Sequence, residues 1–204
     1  AAYEYDGISR LLSVTDSQGR LAAYAYDKED RVLESTDALD NAHAYTYDGE
    51  GRVLTDTYPN GEQESYTYLP TGEVETHTDR YGIVTTYTYD ACGRIVEAAD
   101  TAGNRMAYEY DAAGNLTKQT DVLGRSALYG YDAYGRVTSV TDVDGAVTAY
   151  AYDALDRLVK VTDPAGNVTT YGYDAAGNLT GLEKPGEALW TYTYDALNRL
   201  SRKV

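Results

Sequence analysis

Apolar and polar residues alternate along this chain in short bursts, and the bursts recur at a fixed spacing. Tyr3-Glu4-Tyr5-Asp6 is answered one step later by Tyr24-Ala25-Tyr26-Asp27. Paired tyrosines then return by the same step at Tyr45/Tyr47, Tyr66/Tyr68, Tyr87/Tyr89, Tyr108/Tyr110, Tyr129/Tyr131, Tyr150/Tyr152, Tyr171/Tyr173 and Tyr192/Tyr194 without a slip. Residues two apart leave an extended strand from the same side, so both rings of a pair share a face. Thr, Val and Tyr fill the intervals and helical spacing is absent, which favours strand throughout.

Counting from the first tyrosine of each unit, position four is Asp everywhere except Leu69. Position seven is Gly at 51, 72, 93, 114, 135 and 177, and otherwise Ser9, Asp30, Asp156 or Asn198. Asp-x-x-Gly is the composition of a type I turn whose last residue is left-handed, a conformation that Asn and Asp also tolerate. Position eight is Arg or Asn except at Glu73, and an apolar residue always follows, from Leu11 to Leu200. A second turn comes midway to the next unit, as in Thr15-Asp16-Ser17-Gln18-Gly19 and Thr162-Asp163-Pro164-Ala165-Gly166. Turns at this spacing leave about six or seven residues per strand and predict antiparallel hairpins.

The expected architecture is therefore all-β: about ten 21-residue units over residues 1–204, starting near 3, 24, 45, 66, 87, 108, 129, 150, 171 and 192, each a two-stranded hairpin in one continuous array. A sheet of that many strands should curl. The face opposite the tyrosines carries Leu21, Val84, Val147, Val168 and Leu189, so both faces mix apolar and polar groups. Tyr58-Pro59 and Leu69-Pro70 depart from the usual turn signals, and Leu182-Glu183-Lys184-Pro185-Gly186 replaces the usual second turn of the ninth unit; these read as local loop variants, with Pro59 placed where a fixed backbone angle favours a turn.

Charge and composition narrow the chemistry. A net charge of -16 weighs against nucleic acid and anionic membranes, which need basic patches, and no apolar run is long enough to span a bilayer. Metal binding needs clustered ligands, whereas His43 and His77 stand at different repeat positions and Cys92 lies alone in an Asp-Ala-Cys-Gly turn. Asp142-Val143-Asp144-Gly145 comes nearest to a calcium loop but lacks its closing Glu. The acids recur with the repeat instead of standing out as unique residues, and no nucleophile elbow, phosphate loop or dinucleotide fingerprint occurs. No catalytic, cofactor-binding or metal residue is assigned, and the segment is expected to be non-enzymatic. The tyrosine rows read first as cross-strand packing and second as a platform for sugars. Ala1-Ala2 open inside the last positions of a unit and Val204 stops partway through another, so the chain reads as a section of a longer protein.

The units resemble the YD repeat of the RHS family, most closely in Tyr129-Gly130-Tyr131 followed by Asp132-Ala133-Tyr134-Gly135-Arg136-Val137, in Asp163-Pro164-Ala165-Gly166-Asn167, and in Asp174-Ala175-Ala176-Gly177-Asn178-Leu179. Units four and nine depart most from the pattern. The resemblance implies a secreted or surface protein, such as bacterial polymorphic toxins, wall-associated proteins, the C component of insecticidal toxin complexes or teneurins. In these, a spiralling β-strip closes into a hollow shell, and in the toxins the shell encloses a C-terminal toxic domain of the same polypeptide. The family's autoproteolytic core segment has no counterpart here, so no catalytic residue carries over. Binding of glycans or a surface protein, and self-assembly through open strand edges, remain as alternatives.

Overall fold

Two hairpin turns in every repeat leave room only for short strands, and a computed structural model describing residues 1–204 contains twenty of them and no helix. The chain divides into two compact units, Ala1–Arg105 and Met106–Val204. The first holds β1 (Ala2–Tyr5), β2 (Leu11–Asp16), β3 (Gly19–Tyr26), β4 (Val32–Asp37), β5 (Ala42–Tyr47), β6 (Val53–Thr57), β7 (Gln63–Tyr68), β8 (Val74–Thr78), β9 (Val84–Tyr89) and β10 (Ile95–Asp100). Each pairs antiparallel with its sequence neighbour, β1 with β2 through to β9 with β10.

The second unit repeats this meander. Its strands are β11 (Arg105–Tyr110), β12 (Leu116–Thr120), β13 (Ser126–Tyr131), β14 (Val137–Thr141), β15 (Val147–Tyr152), β16 (Leu158–Thr162), β17 (Val168–Tyr173), β18 (Leu179–Glu183), β19 (Trp190–Tyr194) and β20 (Leu200–Lys203). Antiparallel pairing again runs strand by strand from β11 to β20.

The turns explain why the meander is so regular. In the third repeat the Asp48 amide donates to the Arg52 carbonyl at 3.0 Å and the Gly51 amide donates to the Asp48 carbonyl at 3.2 Å. This is the hydrogen-bonding of a hairpin loop built on a type I turn that ends in a left-handed residue. Gly51 has φ of 84°, and where glycine is missing Ser9, Asp30, Asp156 and Asn198 take the same left-handed conformation. The Asp48 carboxylate fixes the loop from inside: Oδ1 accepts the amides of Glu50 and Arg52 at 3.0 and 2.9 Å.

The prolines are accommodated in turns of the regular kind, as the place of Pro59 in its turn suggests. Gly61 and Gly72 close onto the carbonyls of Tyr58 and Leu69 at 2.9 Å each, as the regular turns do. Pro59 and Pro70 follow the first turn residue, where a fixed φ suits a type I turn and no amide donor is required. In the ninth repeat the loop survives in altered form, with Glu187 donating to the Lys184 carbonyl at 3.1 Å.

Pairing assigns the faces. Tyr45 is opposite Asp56 and Tyr47 opposite Val53, with the register shifting between Thr46 and Tyr47. The same shift recurs in the first hairpin of other repeats, for instance between Gly130 and Tyr131. It brings the second tyrosine of each pair beside the apolar residue of position nine. Thr46 and Thr55 occupy the other face, joined through their hydroxyls at 2.6 Å. A single sheet layer covers neither side, and no residue of the chain is fully buried. Tyrosine suits such a half-wet surface because its ring packs while its hydroxyl reaches a partner.

Gly177 isolates the backbone contribution of the turns. Its φ is 89° and an added Cβ would meet nothing within 4 Å. Gly177→Ala should therefore destabilise its hairpin by about 1–2 kcal/mol through left-handed strain alone, read as faster amide exchange in β17 and β18. Exchange equal to the parent chain would refute this account of the turns.

Candidate functional site

The residues that make the repeat a repeat form a ladder from one unit to the next. Asp27 uses Oδ1 for the amides of Glu29 and Arg31, both at 2.9 Å, and Oδ2 for the Arg31 Nε–H at 2.6 Å. So held, the Arg31 guanidinium reaches forward to lie over the Tyr47 ring, 4.9 Å from its centre, and donates to the Asp48 carbonyl at 3.1 Å. Tyr47 reaches back, its hydroxyl donating to the Val32 carbonyl at 2.6 Å. Arg10 over Tyr26, Arg52 over Tyr68, Arg136 over Tyr152 and Arg157 over Tyr173 repeat the stacking at 4.5–4.9 Å. The backward tyrosine bond recurs from Tyr26, Tyr68, Tyr89, Tyr131, Tyr173 and Tyr194. At Asn115 and Asn178 the shorter amide still donates to the turn carboxylate at 2.9 Å. The Arg157 side chain, working against partial desolvation and aided by the Arg157 amide, holds the Asp153 carboxyl below its usual range.

One part of the tyrosine face breaks this monotony. Across β4 to β8 the register places Ser35 opposite His43, Tyr45 opposite Asp56, Asp56 opposite Glu64 and Tyr66 opposite His77. Both histidines of the chain thus enter one patch, although they occupy different positions of the repeat. His43 Nδ1 lies 3.1 Å from Asp56 Oδ1, and its ring meets the Tyr58 ring edge-on at 4.8 Å. Glu64 is the centre. It accepts the Tyr58 hydroxyl at 3.0 Å and the Tyr66 hydroxyl at 3.1 Å, and His77 Nε2 lies 3.3 Å from it. Tyr66 stacks on His77 at 4.7 Å and Arg80 covers Tyr58 at 5.4 Å.

The charges in this patch follow from its contacts. Partial burial works against ionisation of Glu64, but the hydroxyls of Tyr58 and Tyr66 and the His77 ring outweigh it and keep the carboxyl below its usual range. Because the folded value lies below the unfolded one, Glu64 stabilises the fold above the unfolded value and ceases to do so as pH falls through the folded value. Desolvation first, and the Glu64 carboxylate second, push the Tyr66 phenol up to about 12. With both Glu64 oxygens committed to donors, the arrangement is that of a clasp joining the β6–β7 turn, β7 and β8.

Other residues singled out in the sequence have local roles. The Cys92 amide donates to Asp90 Oδ1 at 2.8 Å and its thiol is exposed. Asp142 Oδ1 accepts the amides of Asp144 and Ala146, both at 2.9 Å. Asp163 likewise takes the amides of Ala165 and Asn167, at 2.9 and 2.8 Å. No three His, Cys, Asp or Glu side chains converge as a metal would require. No helix is long and apolar enough to cross a membrane. The arginine stack was missed by sequence reasoning, although the constant offset from Arg at position eight to the second tyrosine of the next unit was its visible trace. The histidine patch was missed because strand register, not spacing, creates it.

The RHS Repeat family model matches residues 5–42, 26–63, 68–105, 110–147, 131–168 and 152–187. No curated protein sequence matches the chain. Among solved structures it is similar to the crystal structure of TcdB2-TccC3, at 20% identity and a TM-score of 0.52 over 97% of this chain and 14% of that one. The TcdB2-TccC3-TEV crystal structure is similar at 20% identity and TM-score 0.51, over 97% and 13%. The form of TcdB2-TccC3 without its hypervariable C-terminal region gives 18% and 0.51, over 97% and 15%. The likeness is one of fold, and the chain spans only a small part of the length of those chains.

The clasp predicts a titration. Glu64→Gln should lower the Tyr66 phenol from about 12 only part of the way toward the ordinary value of about 10, because desolvation remains when the carboxylate is gone. NMR of the tyrosine rings across alkaline pH would measure it. An unchanged Tyr66 titration in Glu64→Gln would rule out the carboxylate's influence.

Proposed function

The chain belongs to the RHS-repeat family, and from that premise we propose that it is a non-catalytic wall segment of a secreted or cell-surface protein, part of a β-shell that encapsulates or displays a C-terminal domain of the same polypeptide. The observation that carries this reading is a sheet of repeated hairpins in which no side chain is fully buried. A layer of this kind gains little from packing on itself; it gains from being one turn of a larger enclosure. In this reading residues 1–204 are one uninterrupted array whose partners are the rest of the shell and the domain inside it. The TcdB2-TccC3 structures, one of them without a hypervariable C-terminal region, support a reading in which a repeat scaffold is joined to a C-terminal region that varies. The repeated acids serve as turn caps, which supports a non-enzymatic role.

A second reading is favoured by the patch around Glu64, which is singular where the rest is repetitive. Aromatic rings and acids on an open face suit a glycan or a surface protein, making the segment an adhesion module. An array of immobilised glycans separates the two: saturable binding abolished by Tyr66→Ala supports adhesion, and no binding across the array counts against it.

Protection of the passenger tests the shell directly. In the full-length polypeptide that carries this segment, the domain C-terminal to the repeats should resist protease until residues 1–105 are deleted, and then be cleaved at least about tenfold faster, as expected when a site changes from enclosed to open. Equal cleavage before and after deletion would exclude encapsulation by this segment.

A further inference from the structure

The fourth repeat inverts the chemistry of the ladder. Leu69 stands where the other units have the turn aspartate, and Glu73 stands where they have Arg or Asn. The turn itself keeps its shape, with Gly72 closing onto Leu69 at 2.9 Å, so Glu73 is delivered to the place that arginine occupies elsewhere. The neighbouring turn glycines mark that place. A Cβ on Gly51 would meet the Arg31 side chain at 3.7 Å, and a Cβ on Gly93 would meet Glu73 Oε1 at 3.0 Å.

The exchange leaves several groups without the cation they have elsewhere. Arg10, Arg31, Arg136 and Arg157 each donate to the backbone carbonyl of the next repeat's aspartate, at 2.7–3.1 Å. Asp90 is the corresponding residue after Glu73, and a carboxylate cannot donate to its carbonyl. Tyr89 keeps its hydroxyl bond to the Val74 carbonyl at 2.7 Å, but the residue that would supply a guanidinium over its ring is Glu73. Glu73 Oε2 is closed off from solvent without any hydrogen-bond partner, the one side-chain atom of the chain in that state. The Thr71 hydroxyl and the residue's own amide hold the Glu73 carboxyl below its usual range, so it is an anion at neutral pH. Beside it opens a hollow of about 450 Å³, lined by Leu69, Glu73, Glu75, Tyr89 and Asp90 among others. Arg94, on the adjoining turn, is tied to the Asp90 carboxylate at 2.6 Å.

We infer that this hollow is a receptor for a guanidinium group, the side chain of an arginine presented by a separate polypeptide segment. As the Glu73 side chain turns to expose its unpartnered oxygen to the hollow, the incoming group would donate to it and to the Asp90 carbonyl and lie against Tyr89, remaking from outside the contacts that Arg31 makes from within. Guanidinium is preferred over ammonium because its planar fork can serve a carboxylate and a carbonyl while stacking on a ring. The overall charge of -16 favours approach of a cationic segment. This inference does not depend on the shell or the adhesion reading, since it concerns only what the fourth and fifth repeats bind.

Argininamide is the probe. Titrated into the isotope-labelled 204-residue chain, it should shift the amides of Glu73 and of residues 89–93 saturably, with lysinamide at least about fivefold weaker. Glu73→Gln should weaken argininamide roughly tenfold, as expected on losing a charge-assisted pair. Glu73→Arg should fill the seat with the chain's own guanidinium and abolish the response. Absence of saturable shifts in the parent chain, equal shifts in Glu73→Gln, or lysinamide binding as tightly as argininamide would each overturn the inference. Glu73→Gln preserves side-chain shape, so the test stands even if Glu73→Arg fails to fold.

Discussion

The contact on which the rest of this structure depends is the arginine of one repeat laid over the second tyrosine of the next. Strand pairing alone would give a ribbon of hairpins with little to fix its faces. Asp27 orients Arg31 by taking its Nε–H, Arg31 covers Tyr47, and Tyr47 bonds back to Val32, so these two repeats are clamped in both directions. A lone exposed ion pair contributes little. Here the carboxylate also holds two amides of its turn, and the guanidinium also holds a ring and a carbonyl, so the pair is ordered by its surroundings instead of ordering itself. Where Asn replaces Arg, the turn bond is kept and the stack is lost, while Tyr131 and Tyr194 still bond back to Leu116 and Leu179, so turn closure does not need the stack.

The absence of a fully buried residue follows from the same design. Each side chain shields only its neighbours in the adjacent strands, so stability is a sum of near-neighbour terms and not the yield of one core. Both faces stay available, and exposed rings such as Tyr81 and Tyr134, at 73% and 82% of full exposure, stand in the turns. For a repeat array this is an advantage, because repeats can be varied singly. Two variations use that freedom: the Glu64 clasp, which ties two strands and a turn through hydroxyls and an imidazole, and the Glu73 exchange, which reverses the charge of one rung.

Much of this was legible in the residues because the informative signals were local. Asp at position four and a left-handed residue at position seven specify a hairpin within a single turn, and the structure follows them even at Ser9 and Asn198. The tyrosine spacing placed both rings on one face for the same reason. Position within the turn matters more than composition: Pro59 and Pro70 depart from the usual turn signal, yet they fall where a fixed φ suits the turn and no donor is needed. Spacing fails where chemistry passes between repeats. His43 and His77 look unrelated because they lie in different repeats, and only the register through Asp56 and Glu64 brings them to one patch. Arg31 and Tyr47 lie too far apart in sequence for any turn rule to connect them.

A double-mutant cycle on Arg31 and Tyr47, read by native-state amide exchange in β4 to β6, tests the ladder most directly. Exchange is the appropriate measure because opening in a repeat array is local. Arg31→Met and Tyr47→Leu, singly and together, should reveal a coupling of about 0.5–1 kcal/mol, the range for a cation on an aromatic face near the surface, with the loss of protection extending into both flanking repeats. Additive effects, with protection lost only in the mutated repeat, would contradict the claim that this contact holds one repeat to the next.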